Sequence, residues 1–361
     1  MDREGIDINK LNIDSHKLFY HVPRVYDWYR GKEIFPIYLE IGLSGACNQR
    51  CIFCAFDYLK YKKVFFAEES VKKLVHDAAK CGVKSILYSG EGEPLLHSKI
   101  GEIVNFTKEE GIDVAISTNG ILLNRALADK LLANLVWIRI SLNAGTKNNY
   151  AFMHGTKKED FCVIIKNIRD MMQIRNKNKY KCTINIQTLL MPQNYKEVIK
   201  IAEILSDLGV DCLVLKPYSQ HCFSKNIVNY KFKVTDLLRI EDKFRKNFKG
   251  RLSVVFRYNS LEKLSQSKPY GYCLGLPFMA HISCDGNIYP CNAFIGNRRF
   301  SFGNVSENSF KHIWLSKKRK SIMEFITNKW DIQNCRKSCR LDEINRYLWE
   351  LKNPSGHVNF I

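Results

Sequence analysis

Three cysteines, Cys47, Cys51 and Cys54, stand at i, i+4 and i+7 in the stretch Ser44-Gly45-Ala46-Cys47-Asn48-Gln49-Arg50-Cys51-Ile52-Phe53-Cys54. Thiolates are soft ligands suited to zinc and to iron–sulfur centres. A structural zinc site takes four protein ligands, so three thiolates alone do not complete one. They do suit three corners of a cubane [4Fe–4S] cluster, with one iron left open to a small molecule. Half of a zinc site is the competing reading of this spacing.

A second group of thiols lies far downstream. Seventeen residues separate Cys273 from Cys291, and forty-three more precede Cys335-Arg336-Lys337-Ser338-Cys339-Arg340. The pair Asp285-Gly286 predicts a hairpin turn that draws its two strands together. Four thiolates then converge on one metal centre, with a four-cysteine zinc site as the alternative to iron. Cys284 lies beside this group and either substitutes for a ligand or packs. Cys81, Cys162, Cys182, Cys212 and Cys222 fall in or near predicted elements and read as small core residues.

The other polar candidates stand at strand ends. Ser89-Gly90-Glu91-Gly92-Glu93-Pro94 follows the second strand, and its glycines let the backbone approach a ligand closely. Ser117-Thr118-Asn119-Gly120 ends the third strand, and Ser141-Leu142-Asn143 ends the fourth. Hydroxyls and amides there suit ribose hydroxyls and a carboxylate. Capping is the plainer role for such residues, and Asn124 is placed to cap the next helix. Gln187, on the fifth strand, is a further candidate. Lys216 and His221, at the end of the sixth, are placed to hold substrate, Lys216 in particular if that substrate is anionic.

The elements that position these residues alternate. Ile37–Leu43 reads as a buried strand, followed by a helix over Ser70–Cys81 with Val71, Leu74, Val75 and Ala78 at helical spacing. Strands are predicted at Val83–Tyr88, Asp113–Ser117, Val136–Leu142, Cys182–Leu190 and Val210–Lys216. Between them stand helices over Lys99–Glu110, Asn124–Ala133, Phe161–Ile174 and Tyr195–Leu208, with Gly111 and Gly209 as stop signals. Six strands alternating with helices predict an α/β fold with a parallel sheet and right-handed crossovers. Six units are fewer than a closed eight-fold barrel needs, and sites in such folds lie at the carboxyl ends of the strands.

The chain divides accordingly. Residues 1–35 form a lead-in whose Tyr20, Tyr26, Trp28 and Tyr29 could cover a barrel end, and 36–217 form the barrel. Residues 218–269 read as a connection containing a basic helix-like stretch, Thr235–Phe248, and a candidate strand, Leu252–Tyr258. A cysteine-rich module occupies 270–341, and a C-terminal helix and tail occupy 342–361.

Bulk properties exclude several classes. The 361 residues are 45% hydrophobic and 25% charged, ordinary for a globular protein. No apolar run is long enough for a transmembrane helix. The charged start, Met1-Asp2-Arg3-Glu4-Gly5-Ile6-Asp7, lacks the apolar core of a signal peptide, so a cytoplasmic protein is expected. Thirteen cysteines in that compartment point to metal or redox chemistry rather than disulfides. The formal charge of +20 is scattered along the chain, with no Arg-rich tail and no recognisable nucleic-acid module. It reads as a solvated basic surface that also attracts an anionic substrate.

The spacing of Cys47, Cys51 and Cys54 resembles the C-x3-C-x2-C signature of the radical S-adenosylmethionine (SAM) enzymes. That resemblance implies a partial (β/α)6 barrel and a [4Fe–4S] cluster whose open iron binds SAM. The segment Gly90–Pro94 resembles the family's glycine-glycine-glutamate-proline motif, which receives the amino group of SAM. Here Glu91 stands where the first glycine usually is, so the match rests on Gly92, Glu93 and Pro94, with Gly90 just outside it. By the same resemblance Ser117, Asn119 and Ser141 line the cofactor site. Cys273, Cys291, Cys335 and Cys339 resemble the appended SPASM/twitch module in its short twitch form, with one auxiliary [4Fe–4S] cluster. No cysteine follows Cys339 to serve a further one.

The resemblance implies an oxidoreductase. An external one-electron donor such as flavodoxin or ferredoxin reduces the first cluster, SAM is cleaved to a 5′-deoxyadenosyl radical, and that radical removes hydrogen from the substrate. The auxiliary cluster then accepts an electron; otherwise epimerisation or bond formation follows. Many relatives modify ribosomally made peptides with the help of an added N-terminal domain, for which residues 1–35 leave no room. A small sugar-, cyclitol- or nucleotide-like substrate is therefore expected, with a peptide as the alternative. The non-enzyme alternative is a metal-binding interaction protein.

Overall fold

The computed structural model describes residues 11, 13–228, 234–248 and 252–360. Its ten strands are β1 (Tyr38–Ile41), β2 (Ser85–Tyr88), β3 (Asp113–Thr118), β4 (Leu135–Ser141), β5 (Thr183–Leu190), β6 (Cys212–Pro217), β7 (Ser253–Phe256), β8 (Met279–Ile282), β9 (Asn287–Tyr289) and β10 (Gly303–Asn304). The helices of the first half are α1 (Val22–Tyr29), α2 (Glu68–Lys80), α3 (Ile100–Glu109), α4 (Arg125–Leu132), α5 (Lys147–His154) and α6 (Asp160–Asn178). The second half adds α7 (Val198–Leu208), α8 (Val234–Asn247), α9 (Tyr258–Glu262), α10 (Phe310–Leu315), α11 (Lys317–Lys329) and α12 (Asp342–Lys352).

One sheet in the order β10-β9-β8-β1-β2-β3-β4-β5-β6-β7 organises the molecule. Strands β1 to β7 run parallel, each paired with the next. The sheet is an open, partial barrel with helices packed on its outer face. The two-residue period of the strands separates two environments. Leu39, Ile41, Ile86, Tyr88, Val114, Ile116, Ile138, Ile140, Ile184, Ile186, Leu213 and Leu215 join the helices in the main apolar core. The alternate positions carry Glu40, Ser117, Arg139, Gln187 and Lys216, which therefore face the barrel interior. In register, Arg139 lies between Ser117 and Asn185, and Glu40 between Leu87 and His281.

Local chemistry sets the helix limits. The α2 face that meets the core is Val71, Leu74, Val75 and Ala78. Asn124 caps α4 by accepting the Leu127 N–H, and α7 ends at Gly209 in the left-handed region.

Four expectations change. The candidate strand in the stretch read as a connection forms as Ser253–Phe256, but it joins the sheet as a seventh parallel strand beside β6. The cysteine-rich segment is not a separate appendage: β8 pairs in parallel with β1 and extends the same sheet. In the lead-in, Tyr20, Tyr26 and Tyr29 are exposed, and only Trp28 packs inward, 5.9 Å from the Phe278 ring. Among the cysteines read as core, Cys182 and Cys212 are buried, whereas Cys162 and Cys222 are exposed. Cys162 sits near the start of α6 on its outer side, and Cys222 sits in the loop after β6.

Candidate active site

The loop carrying Cys47, Cys51 and Cys54 leaves the carboxyl end of β1 and is held from several sides. Ser44 Oγ accepts the Ala46 N–H at 3.1 Å, which closes a tight turn. The Gly45 N–H donates to the Val64 carbonyl at 2.8 Å, and the Glu93 N–H donates to the Ala46 carbonyl at 2.8 Å. Gly92 lies directly against this turn: a Cβ there would overlap the carbonyls of Ser44 and Ala46. The Arg50 and Ile52 N–H groups donate to the carbonyls of His154 and Met153 at the end of α5. The adjoining Gly155 has φ +55°, and a Cβ there would overlap the Arg50 carbonyl. From the loop after β6, Ser224 Oγ donates to the Cys54 carbonyl at 3.0 Å.

The sulfurs meet buried polar partners. Cys51 Sγ lies 3.6 Å from His154 Nδ1 and 3.7 Å from Gln49 Oε1. His154 Nε2 accepts the Asn143 N–H at 3.3 Å, which leaves Nδ1 as the protonated nitrogen, donating to Gln49 Oε1 at 3.0 Å. Burial pushes the His154 pKa down to about 3, so the ring is neutral. Burial pushes Cys47 up to about 11 and Cys51 well above the usual thiol range, with further repulsion from Cys54. Three clustered thiols in that setting ionise together only against a compensating positive centre. That is the donor chemistry of a cluster site.

His154→Leu is expected to speed chelator-driven loss of iron from this loop by about tenfold or more, the usual scale for removing a partner of a metal ligand. If the downstream cysteines hold iron as well, that iron should leave at an unchanged rate. Iron counts during a timed chelator challenge read both.

The strand-end candidates gather at the same end of the sheet. Asn119 Nδ2 donates to Asn48 Oδ1 at 2.7 Å and lies 4.0 Å from Cys47 Sγ. The Glu93 carboxylate is buried and engaged internally, accepting from the N–H groups of Leu95 and Asn119 and from Thr118 Oγ1. It ties the loop after β2 to the end of β3, so its oxygens shape the site rather than face a ligand. Pro94 opens a short 3-10 turn behind it. Gly90, at φ +116°, passes 3.0 Å from the His281 ring when given a Cβ. Ser117 Oγ accepts from Arg139 Nε at 3.2 Å, and Ser141 sits in register with Gln187.

The departure at Glu91 has a structural partner. Its carboxylate accepts the Cys284 N–H, and its other oxygen lies 3.7 Å from His281 Nε2. His281 is fully buried, and neither ring nitrogen has a hydrogen-bond partner among the described residues. On the far side of the ring stands Glu40, which accepts from Ser89 Oγ and pairs with Arg340 at 3.0 Å. Burial raises the Glu40 pKa, but Arg340, His281 and Ser89 outweigh it and hold the group below the usual carboxylate range. Sequence reading missed Glu40, Arg139, His281, Arg336 and Arg340. The available signal was a charged residue at an alternate position of an apolar strand, as in Tyr38-Leu39-Glu40-Ile41 and Trp137-Ile138-Arg139-Ile140.

The downstream cysteines surround a second space. Cys273, Cys291, Cys335 and Cys339 line one cavity of about 100 Å³, together with Lys216 and His221. The β8–β9 hairpin, turned at Gly286 with φ +82°, delivers Cys291. Trp330 Nε1 donates to Cys335 Sγ at 3.3 Å, and Asn345 Nδ2 donates to Cys273 Sγ at 3.3 Å. Asn345 belongs to α12, so the C-terminal helix, expected to lie outside this module, helps build it. Among the described residues no group of His, Cys, Asp or Glu side chains is disposed to hold a single metal ion. The four sulfurs border one common space. Burial pushes Cys273 up to about 12 and Cys335 up to about 11, and mutual repulsion adds to both. Cys284 is not in this lining; its sulfur lies against Gly45. His221 stacks on Tyr58 with centroids 5.6 Å apart, and burial pushes its pKa down to about 4.

An open parallel α/β barrel with a three-thiol loop after its first strand and a four-thiol cavity beside it defines a cluster-dependent enzyme class. Residues 41–205 match the Radical SAM superfamily, and residues 273–340 match SPASM, an iron–sulfur cluster-binding domain. The chain is a radical SAM protein with a SPASM module, and its cofactors are a [4Fe–4S] cluster, an auxiliary cluster and SAM.

Among curated relatives, the tungsten-containing aldehyde ferredoxin oxidoreductase cofactor-modifying protein of Pyrococcus furiosus is 24% identical over 330 residues, covering 82% of this chain and 86% of the relative. The GTP 3′,8-cyclase of Chlorobaculum tepidum is 31% identical over 189 residues, covering 51% of this chain and 55% of the relative, so the chain spans about half of that protein. Among solved structures, Streptococcus suis SuiB bound to S-adenosylmethionine aligns with a TM-score of 0.64 at 20% identity, covering 96% of this chain and 82% of that one. At that identity the likeness concerns the fold. Among the described residues no helix is long and apolar enough to cross a membrane.

Proposed function

We propose that this radical SAM enzyme is a cytoplasmic oxidoreductase acting on a small polar, sugar-, cyclitol- or nucleotide-like substrate. The observation that carries the reading is the cavity of the four downstream thiols, which is also lined by Lys216 and His221 from the end of β6. An electron acceptor seated there borders the space where substrate enters the barrel. In the proposal Cys47, Cys51 and Cys54 hold the first cluster, with Gly90, Gly92, Glu93, Pro94, Ser117, Asn119 and Ser141 shaping the SAM site. Cys273, Cys291, Cys335 and Cys339 hold the auxiliary cluster.

When bound and reduced by an external flavodoxin- or ferredoxin-like donor, the first cluster and SAM supply a 5′-deoxyadenosyl radical that abstracts hydrogen from carbon. The chain supplies orientation and shelter. Gly92 lets the loop after β2 close on the cysteine turn. The loop after β6 is pinned to the cysteine loop through Ser224 and the Cys54 carbonyl. Oxidation of the substrate also releases a proton, and Glu40, kept ionised by Arg340, is the β1 carboxylate facing the interior beside His281.

Cys335→Ala tests the division of labour between the two thiol sets. It should remove about half of the iron yet leave uncoupled 5′-deoxyadenosine formation within about threefold of wild type, because the open-iron site is intact. Iron counts and chromatographic detection of 5′-deoxyadenosine check it. A loss of cleavage as deep as that from removing an upstream cysteine would reject separate roles.

A further inference from the structure

The barrel interior holds cations with no ion-pair partner of their own among the described residues. Lys216 on β6 and Arg336, between two of the downstream cysteines, form no ion pair among the described residues, and Arg336 Nε is buried without a hydrogen-bond partner. Among the described residues Arg139 on β4 hydrogen-bonds only to the Ser117 hydroxyl; Glu40, itself paired with Arg340, acts on it from a distance, and its guanidinium lies 5.4 Å from the Trp137 ring. Two neighbours are already neutralised: Arg340 pairs with Glu40 at 3.0 Å, and Arg257 pairs with Asp14 at 2.9 Å. The charges acting most strongly on Lys216 are all cations, Arg336, Arg257, Arg139 and Arg340.

The three side chains are half-buried, and holding cations partly out of water with no anion to meet them is unfavourable. An auxiliary four-thiolate cluster brings on the order of two negative charges, which suits Arg336 beside it. It leaves Arg139, which stands on a different strand and outside the lining of the thiol cavity. Lys216 and Arg336 line one cavity, and Arg139, facing the same interior four residues nearer the amino ends of the strands in register, is close enough to act on Lys216 electrostatically. A carboxylate offers two oxygens and one charge, which a single arginine satisfies. A phosphoryl group offers three oxygens and close to two charges, and matches several cations at once.

We propose that the barrel interior is a phosphate cradle, in which Lys216 and Arg139 bind a phosphoryl group of the substrate and Arg336 approaches it from the cysteine-rich segment. This rests on the small-substrate reading above and narrows it to a phosphorylated metabolite.

The test uses anaerobically reconstituted full-length protein titrated calorimetrically with inorganic pyrophosphate, and with succinate as a carboxylate comparison, at constant ionic strength. Pyrophosphate should bind saturably at one site per chain, at least tenfold tighter than succinate. Lys216→Gln and Arg139→Gln should each weaken it by about tenfold or more, the scale of a lost charged hydrogen bond. Lys216→Arg should restore affinity to within about threefold of wild type, since it replaces the cation. Lys177→Gln, on the exposed side of α6, should bind as wild type does. Succinate binding as tightly as pyrophosphate, non-saturable binding, or equal affinity in all variants overturns the cradle. Uncoupled 5′-deoxyadenosine formation is measured on the same samples. If SAM is cleaved but pyrophosphate is not held, the cradle fails and the small-substrate reading stands; if fully loaded protein cleaves no SAM, that reading fails itself.

Discussion

Cys51→Ala is expected to lower SAM cleavage by a factor on the order of a thousand or more, because catalysis by a cofactor ends when its seat is lost. His154 Nδ1 at 3.6 Å and Gln49 Oε1 at 3.7 Å lie beside the Cys51 sulfur. Removing it leaves two thiolates, too few to hold three corners of a cubane. Iron should fall by about half, since the four-thiol cavity is built by other elements. The fold should survive, because the loop is anchored by backbone bonds from Arg50, Ile52 and Gly45 rather than by the sulfur. Iron content, the thermal melt and 5′-deoxyadenosine yield on one preparation check all three statements. Cleavage retained above a tenth of the wild-type rate contradicts them.

Gly92→Ala should be nearly as damaging without touching a cysteine. The added methyl would overlap the carbonyls of both Ser44 and Ala46. Both are backbone atoms, so no rotamer change relieves the clash, and either the β2 loop or the cysteine turn must move. Overpacking of this kind costs about 1–3 kcal/mol. The shift would also break the 2.8 Å bond from the Glu93 N–H to the Ala46 carbonyl. A displacement near 1 Å at a positioning loop commonly lowers rate by about a hundredfold. The expected outcome is near-complete iron, a modestly lower melting temperature, and 5′-deoxyadenosine formation reduced by about two orders of magnitude. Wild-type cleavage by this variant would show that the two loops do not pack as described.

What was legible in the sequence was local. The α2 stripe of Val71, Leu74, Val75 and Ala78, the Asn124 cap and the hairpin at Asp285-Gly286 each depend on neighbours a few residues apart, and each is present. The two cysteine groups stood out because thiols at such spacing are chemically unusual. What stayed hidden was long-range pairing. That β8 lies against β1 joins residues more than two hundred apart, and nothing in Met279-Ala280-His281-Ile282 announces its partner. The interior charges were hidden for the same reason. Lys216 stood out at its strand end, but Glu40 and Arg139 are single polar residues within apolar strands, and only the sheet brings them together with Lys216, Arg336 and Arg340. Helix α5 was missed because Lys147-Asn148-Asn149-Tyr150 carries no clear apolar period, although its end at His154 and Gly155 supports the cysteine loop.

If the thiols of Cys47, Cys51 and Cys54 seat a cluster that cleaves SAM, oxygen-free reconstitution followed by iron, sulfide and 5′-deoxyadenosine measurements on one sample will show it. About eight iron and eight sulfide per chain are expected for two cubane clusters, with 5′-deoxyadenosine appearing when SAM and a reductant are added. Protein that retains zinc in place of iron, or that carries its full iron and still releases no 5′-deoxyadenosine, would contradict it.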